Sequence, residues 1–121
     1  MSLNTQDLET IAGANEVLIE TRSGDRVFRT VIWVAVDSDD VFVRSVRGHA
    51  GRWFQRAIAD PEVALKVGNT SYPFTAVAVT DPDSVERASE GFRGKYSRGR
   101  SLDAMLRPEV LDTTLVLEPS T

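Results

Sequence analysis

Two stretches of this chain carry cations without carboxylates. Residues 41–59 hold Arg44, Arg47, Arg52, Arg56 and His49, and no Asp or Glu. Residues 91–100 hold Arg93, Lys95, Arg98 and Arg100, again with no acid. Arginine presents a planar fork of donors that suits phosphate and carboxylate. The first stretch adds what a phosphate site needs besides charge. Arg44-Ser45 ends a predicted strand, Arg47-Gly48 and Gly51-Arg52 follow in a loop, and the loop opens a predicted helix. Glycines let the backbone approach an anion, and a helix N-terminus offers free amides. The same arginines could instead pair with acids across the surface, and a simple β-to-α turn would use the same glycines.

Other chemistries find less support. A Ser-His-Asp triad needs a base oriented by a carboxylate, and nothing in the sequence marks a partner for His49, the one histidine. Asp37, Asp39 and Asp40 fail as a calcium loop, because Phe42 and Gly48 stand where such a loop needs Gly and Glu. No GxxxxGK or GxGxxG phosphate motif is present. Gly48-His49-Ala50-Gly51 has the spacing of a GxxG nucleic-acid clamp but follows a strand rather than joining two helices. The second basic stretch has Tyr96 but no repeated aromatic platform for single strands. No metal site and no nucleic-acid partner are expected.

The elements that must position the arginine loop read mostly as strands. A short helix is predicted over 6–12, capped by Asn4 or Thr5. Strands follow at 16–22, 27–36 and 41–46, with turns at Ser23-Gly24-Asp25 and 37–40. Val31 to Val36 is apolar at every position and predicts a strand buried on both faces. A helix is predicted over 52–59, stopped by Asp60-Pro61. Strands at 62–67 and 71–80 form a hairpin, with Pro73 at an edge or bulge. A helix over 83–96 starts after Asp81-Pro82, a helical turn is placed at 103–106, and a last strand at 113–117. The order α-β-β-β-α-β-β-α-β suggests a small barrel.

Composition agrees with a soluble globular domain. The 121 residues suit one domain, expected to span 1–121 with loose ends at 1–4 and 119–121. There is no cysteine, and hence no thiolate nucleophile, disulfide or Cys-based zinc site. The net charge of −4 disfavours non-specific nucleic-acid binding. No apolar run reaches the ~20 residues of a membrane helix, and residues 1–10 lack a basic residue. A cytoplasmic protein without a membrane partner is expected.

The run VRSVRGHAGRWFQRAIADPEVALKVG resembles the split-barrel flavin- and deazaflavin-binding proteins, through Ser45, Gly48, Gly51, Arg52, Trp53, Phe54, Pro61 and Val63. Ser23, Gly24 and Arg29 match the hairpin upstream, while Val31 or Ile32 stands where that superfamily usually has proline. Within it, the chain is most similar to an uncharacterised bacterial family catalogued as a domain of unknown function. That likeness rests on Ile32-Trp33, residues 42–48, Lys95-Tyr96 and residues 113–117. The split-barrel resemblance covers roughly residues 5–118.

The resemblance implies a mainly β fold with α, namely a six-stranded antiparallel split β-barrel with short flanking helices. It also implies a homodimer with a cofactor, FMN or a deazaflavin coenzyme, in grooves at the dimer interface. By position, Arg44, Ser45, Gly51 and Arg52 would take the phosphate, with Arg47, Gly48 and Trp53 in the same loop and helix start. Arg29, Thr30, Val31 and Ile32 would lie beside the ring system. Trp33 would wall the ring or belong to the core, and Lys95 and Tyr96 would reach the site or close a solvated helix end. The implied function is a flavin- or deazaflavin-dependent oxidoreductase acting on a small organic molecule. The alternative is a non-enzymatic split barrel that binds another small anion or serves as a dimeric interaction module.

Overall fold

The computed structural model describes residues 3–96 and 99–120. Arg98, counted above in the second basic stretch, lies outside the described residues, as do Ser97 and the terminal Met1, Ser2 and Thr121. The elements are α1 (Thr5–Gly13), β1 (Val17–Ser23), β2 (Arg26–Ile32), β3 (Ala35–Asp37), β4 (Asp40–Val43), α2 (Arg52–Ala59), β5 (Glu62–Val67), β6 (Thr70–Ala78), α3 (Pro82–Lys95), α4 (Arg100–Leu106), α5 (Pro108–Leu111) and β7 (Leu115–Pro119). The strands form one antiparallel sheet in the order β2-β1-β5-β6-β7-β4-β3.

The edges of this sheet are consecutive in the chain. Only Trp33 and Val34 separate β2 from β3, so Ile32 and Ala35 lie at most about 11 Å apart. A flat sheet of this strand number would hold its edges roughly 29 Å apart. The sheet therefore curls until its edges meet at Trp33–Val34 and parts on either side. The count is seven strands rather than six, because the stretch expected as one strand over 27–36 breaks there. Most of the outer strand β2 is exposed, with Val31 at 56% and Val27 at 47%. Of the stretch expected to be doubly buried, Val31 is exposed, but Ile32 and Val34 pack in the barrel interior and Ala35 against α3, and β4 shows the same two-sided burial. Val41 and Val43 of β4 face the barrel interior, while Phe42 packs with Ala35 against Ala88 and Phe92 of α3.

Alternation fills the interior. Val17 and Ile19 of β1, Val63 and Leu65 of β5, Tyr72 and Phe74 of β6, and Leu115 and Leu117 of β7 all point inward, joined by Trp53, Phe54 and Ala57 of α2. Local signals set the ends. Asn4 accepts a hydrogen bond from the Asp7 amide at 2.8 Å and its own amide donates back to the Asp7 carboxylate, a capping box. Asp81 caps α3, with Pro82 in its first turn. Asn4 and Pro119 were expected among the loose ends. Asn4, one of the two expected caps, does cap α1, while Pro119 pairs with Phe74 and the Ser120 amide donates to Pro73 O. Pro73 sits on an inner strand, just past the last residue that β7 pairs, so its missing N–H costs no bond to β7.

The two faces of β2 should respond differently to charge. Ile32 is 7% exposed within the core, so Ile32→Asp should cost on the order of 3–5 kcal/mol and drop the melting temperature steeply. Val31→Asp, on the face left exposed in the single chain, should cost far less than Ile32→Asp. Equal effects in thermal unfolding would refute this placement of the strand.

Candidate functional site

A cleft of about 830 Å³ opens where the barrel edges part, a size ordinary for a small-molecule site. One wall is β2, from Phe28 to Ile32, continued by Trp33. The floor is Arg44 to Arg47 and the start of α2, from Gly51 to Trp53, with Arg56 one turn on. α4 supplies Arg100, Ser101, Ala104 and Met105 opposite, and Glu16 adds one carboxylate. The lining thus carries six arginines, Arg29, Arg44, Arg47, Arg52, Arg56 and Arg100, against a single acid.

The loop below the cleft is held by its own short bonds. Ser45 Oγ donates to Gly48 O at 2.8 Å, and the Gly48 amide returns to Ser45 O at 2.9 Å. Gly48 has φ +64°, a left-handed conformation open to glycine. A Cβ on Gly51 would land on Ser45 Oγ and displace that hydroxyl from its bond to Gly48 O. The Gly51 amide donates to Gly48 O at 3.1 Å, and Gly51 then opens α2 without a side-chain cap. The first-turn amides of α2 have no intrahelical acceptor.

Two residues expected on the phosphate turn inward instead. Arg44 is 1% exposed. Its Nε donates to Thr114 Oγ1 at 2.9 Å, its Nη1 to Met105 O at 2.9 Å and Ser89 Oγ at 3.1 Å, and its Nη2 to Val85 O at 3.1 Å. Its guanidinium also lies over the Phe92 ring, 5.4 Å from the centroid. Burial, helped by nearby Arg93, pulls its pKa down to about 10, so it stays charged at neutral pH. Ser45 gives its only hydroxyl proton to Gly48 O and has none for an anion.

The remaining cations are freer. The side chains of Arg47, Arg52 and Arg100 make no hydrogen bond or ion pair among the described residues. Arg56 donates from Nε to Thr21 Oγ1 at 2.8 Å and lies 4.1 Å above the Phe28 ring, which fixes its direction. Arg29 pairs loosely with Glu20 at 3.6 Å.

Of the residues expected at the site, the cleft gathers Arg29, Thr30, Val31, Ile32, Trp33, Arg44, Ser45, Arg47, Gly51, Arg52 and Trp53. Gly48, Lys95 and Tyr96 stand behind the lining. Tyr96 stacks on Trp33 with centroids 3.8 Å apart and planes 2° from parallel. Its hydroxyl donates to Asn15 O at 2.6 Å and accepts from the Val34 amide at 3.3 Å. Lys95 Nζ donates to Val34 O at 2.7 Å. Together they brace the bend that aims Trp33 at the cleft. Burial lowers the Lys95 pKa to about 8 and raises that of Tyr96. Trp53 lines the cleft yet is mostly core, edge-on to Phe54.

The sequence reading missed Glu16, Phe28, Ser101, Ala104 and Met105. It had flagged Arg56 and Arg100 only as members of the basic stretches. Those stretches do not run together as one stripe. Arg100 turns to the cleft, whereas Arg93 pairs with Glu86 and Glu90 and Lys95 turns to Val34. His49 has a partner the sequence did not mark: Asp112, at 2.9 Å on the surface and outside the lining.

Residues 7–117 match the family described as "Uncharacterized protein conserved in bacteria (DUF2255)". The chain belongs to this family. No protein with a curated description matches it. The DUF2255 chain is similar in structure to HutZ, the heme storage protein from Vibrio cholerae, at TM-score 0.71 and 12% identity over 100% of this chain and 92% of the other. It is similar to a FAD-binding protein from Mesorhizobium loti, at TM-score 0.66 and 9% identity over 100% and 93%. It is also similar to an F420-H2 dependent reductase, at TM-score 0.62 and 14% identity over 86% and 94%. The fold is the split β-barrel of the pyridoxamine-phosphate-oxidase-like proteins, mainly β with α.

Two measurements check this geometry. Arg44→Met removes the donor from three buried acceptors and one part-buried one and should cost at least about 3 kcal/mol, or roughly 10 °C of melting temperature, whereas Arg52→Met should leave it nearly unchanged. Equal melting temperatures would contradict the inward placement of Arg44. Lys95 should titrate near pH 8 by NMR of its Cε, since burial favours its neutral form. The folded state then binds fewer protons than the unfolded chain between about 8 and the ordinary 10.5. Its contribution to stability therefore rises with pH across that window, and Lys95→Met should remove the rise.

Proposed function

We propose that the cleft binds a phosphorylated flavin-type cofactor, FMN or a deazaflavin coenzyme, and that the protein is an oxidoreductase acting on a small organic molecule. The observation that carries this reading is the pairing of unneutralised arginines with an aromatic-walled slot in a protein whose net charge is −4. The donor set fits the group. Arg47, Arg52 and Arg100 have unused forks, and the first turn of α2 adds amides and the positive end of its dipole. Val31, Ile32, Trp33 and Met105 offer apolar surface to a ring. The similarity to a FAD-binding protein and to an F420-H2 dependent reductase supports a flavin-type ligand in this fold. His49 is the chain's one histidine and lies outside the lining, so this chain offers the cleft no imidazole for a haem iron.

A bound flavin or deazaflavin supplies hydride chemistry. The chain's own residues bind and orient. Arg44 does not touch the phosphate but keeps a positive charge in the cleft floor. Lys95 and Tyr96 hold Trp33 in place from behind. Val27 and Val31 stand exposed on β2, whose outer edge no strand pairs. A second copy of the chain docking there, as a homodimer, would cover them and close the cleft.

Titration with FMN and with the deazaflavin coenzyme, followed by fluorescence, tests the reading. One of them should bind, and Arg47→Ala or Arg52→Ala should weaken it about tenfold without loss of melting temperature. Sizing should give a dimer. Unchanged affinity in both variants would overturn the phosphate assignment, and no binding of either at roughly 100 μM would favour the non-enzymatic alternative.

A further inference from the structure

A second cleft, of about 500 Å³, lies on the other side of Arg52 and Arg56. Its lining includes Arg22, Ser23 and Gly24 from the end of the β1–β2 hairpin, and Gln55 and Asp60 from α2 and its end. Arg52, Arg56 and Phe28 border both clefts. Arg52 and Arg56 are four residues apart on α2 and so share one face of the helix. Arg56 is pinned between the clefts by Thr21 and the Phe28 ring. The Arg22 side chain makes no hydrogen bond or ion pair among the described residues. The one carboxylate here, Asp60, accepts the Glu62 amide at 3.2 Å and pairs with no arginine. A positive track therefore leaves the first cleft, passes Arg52 and Arg56, and ends at Arg22.

We infer that this second cleft takes an anionic extension of the ligand, so that the chain selects a cofactor with negative charge beyond its first phosphate. This rests on the cofactor reading above. A monophosphate held at Arg47 and Arg100 leaves Arg22 and one side of Arg52 unmatched. A second phosphate, or carboxylates on a tail, would meet them. Both sources share that chemistry.

The test compares ligands that differ only in this extension. FMN is set against FAD, and the deazaflavin coenzyme with a short glutamyl tail against one with a long tail. In the parent chain, one extended form should bind about tenfold more tightly than its short counterpart. A gain with FAD that Arg22→Ala erases identifies the second phosphate, and a gain with the long tail that Arg22→Ala erases identifies carboxylates. Arg22→Ala should erase the gain and leave the short ligand's affinity and the melting temperature unchanged, since Arg22 lies outside the first cleft. Equal affinity for short and long forms in the parent overturns the inference while the cofactor reading stands. So does an Arg22→Ala loss shared equally by both forms. Failure of all four ligands to bind overturns the cofactor reading and this inference with it.

Discussion

The guanidinium of Arg44 forms no ion pair among the described residues, yet three other chain segments depend on it. It rises from the end of β4 and donates to Thr114 before β7, to Val85 and Ser89 on α3, and to Met105 on α4. Hydrogen bonds to neutral groups take up four of its N–H donors but do not cancel its charge. Burying an unpaired cation is costly, and the lowered pKa reflects that cost. The cost is sensible in a cleft floor. An anion above would find a fixed positive potential in a setting where water screens it little. The helices that Arg44 ties down include α4, which carries Arg100 to the opposite wall.

Much of this was legible in the sequence because it is local. The bounds of α2 and β5 follow from Gly51, Asp60-Pro61 and an alternating run, and they appear where expected. The clustering of arginines without acids marked the cleft, since residues close in sequence stay close in space. The tight loop was legible too, through Gly48 and Gly51. What escaped the reading is set by distant partners. Nothing near Arg44 announces that its acceptors lie 41 to 70 residues away. The break at Trp33–Val34 has neither glycine nor proline. It forms because Lys95 and Tyr96, some 60 residues later, bind the Val34 backbone. Arg100 and Glu16 reach the cleft only through barrel closure.

The split of the barrel divides labour among the cations. Arg44 is structural and electrostatic, Arg56 is fixed as a partition, and Arg47, Arg52 and Arg100 keep open donors. Trp33 is neither plain core nor free wall. One face rests on Tyr96, and the residue borders the cleft. Such preorganisation leaves a ligand little to order on binding, which favours affinity.

The most direct measurement is an NMR titration of the arginine Nε–Hε groups with inorganic phosphate at up to roughly 20 mM, a range suited to a millimolar ligand. The account predicts saturable shifts at Arg47, Arg52 and Arg100, with Arg44 keeping its own hydrogen-bonded resonance throughout. A chain in which none of these three moves, or in which Arg44 alone responds, would contradict it.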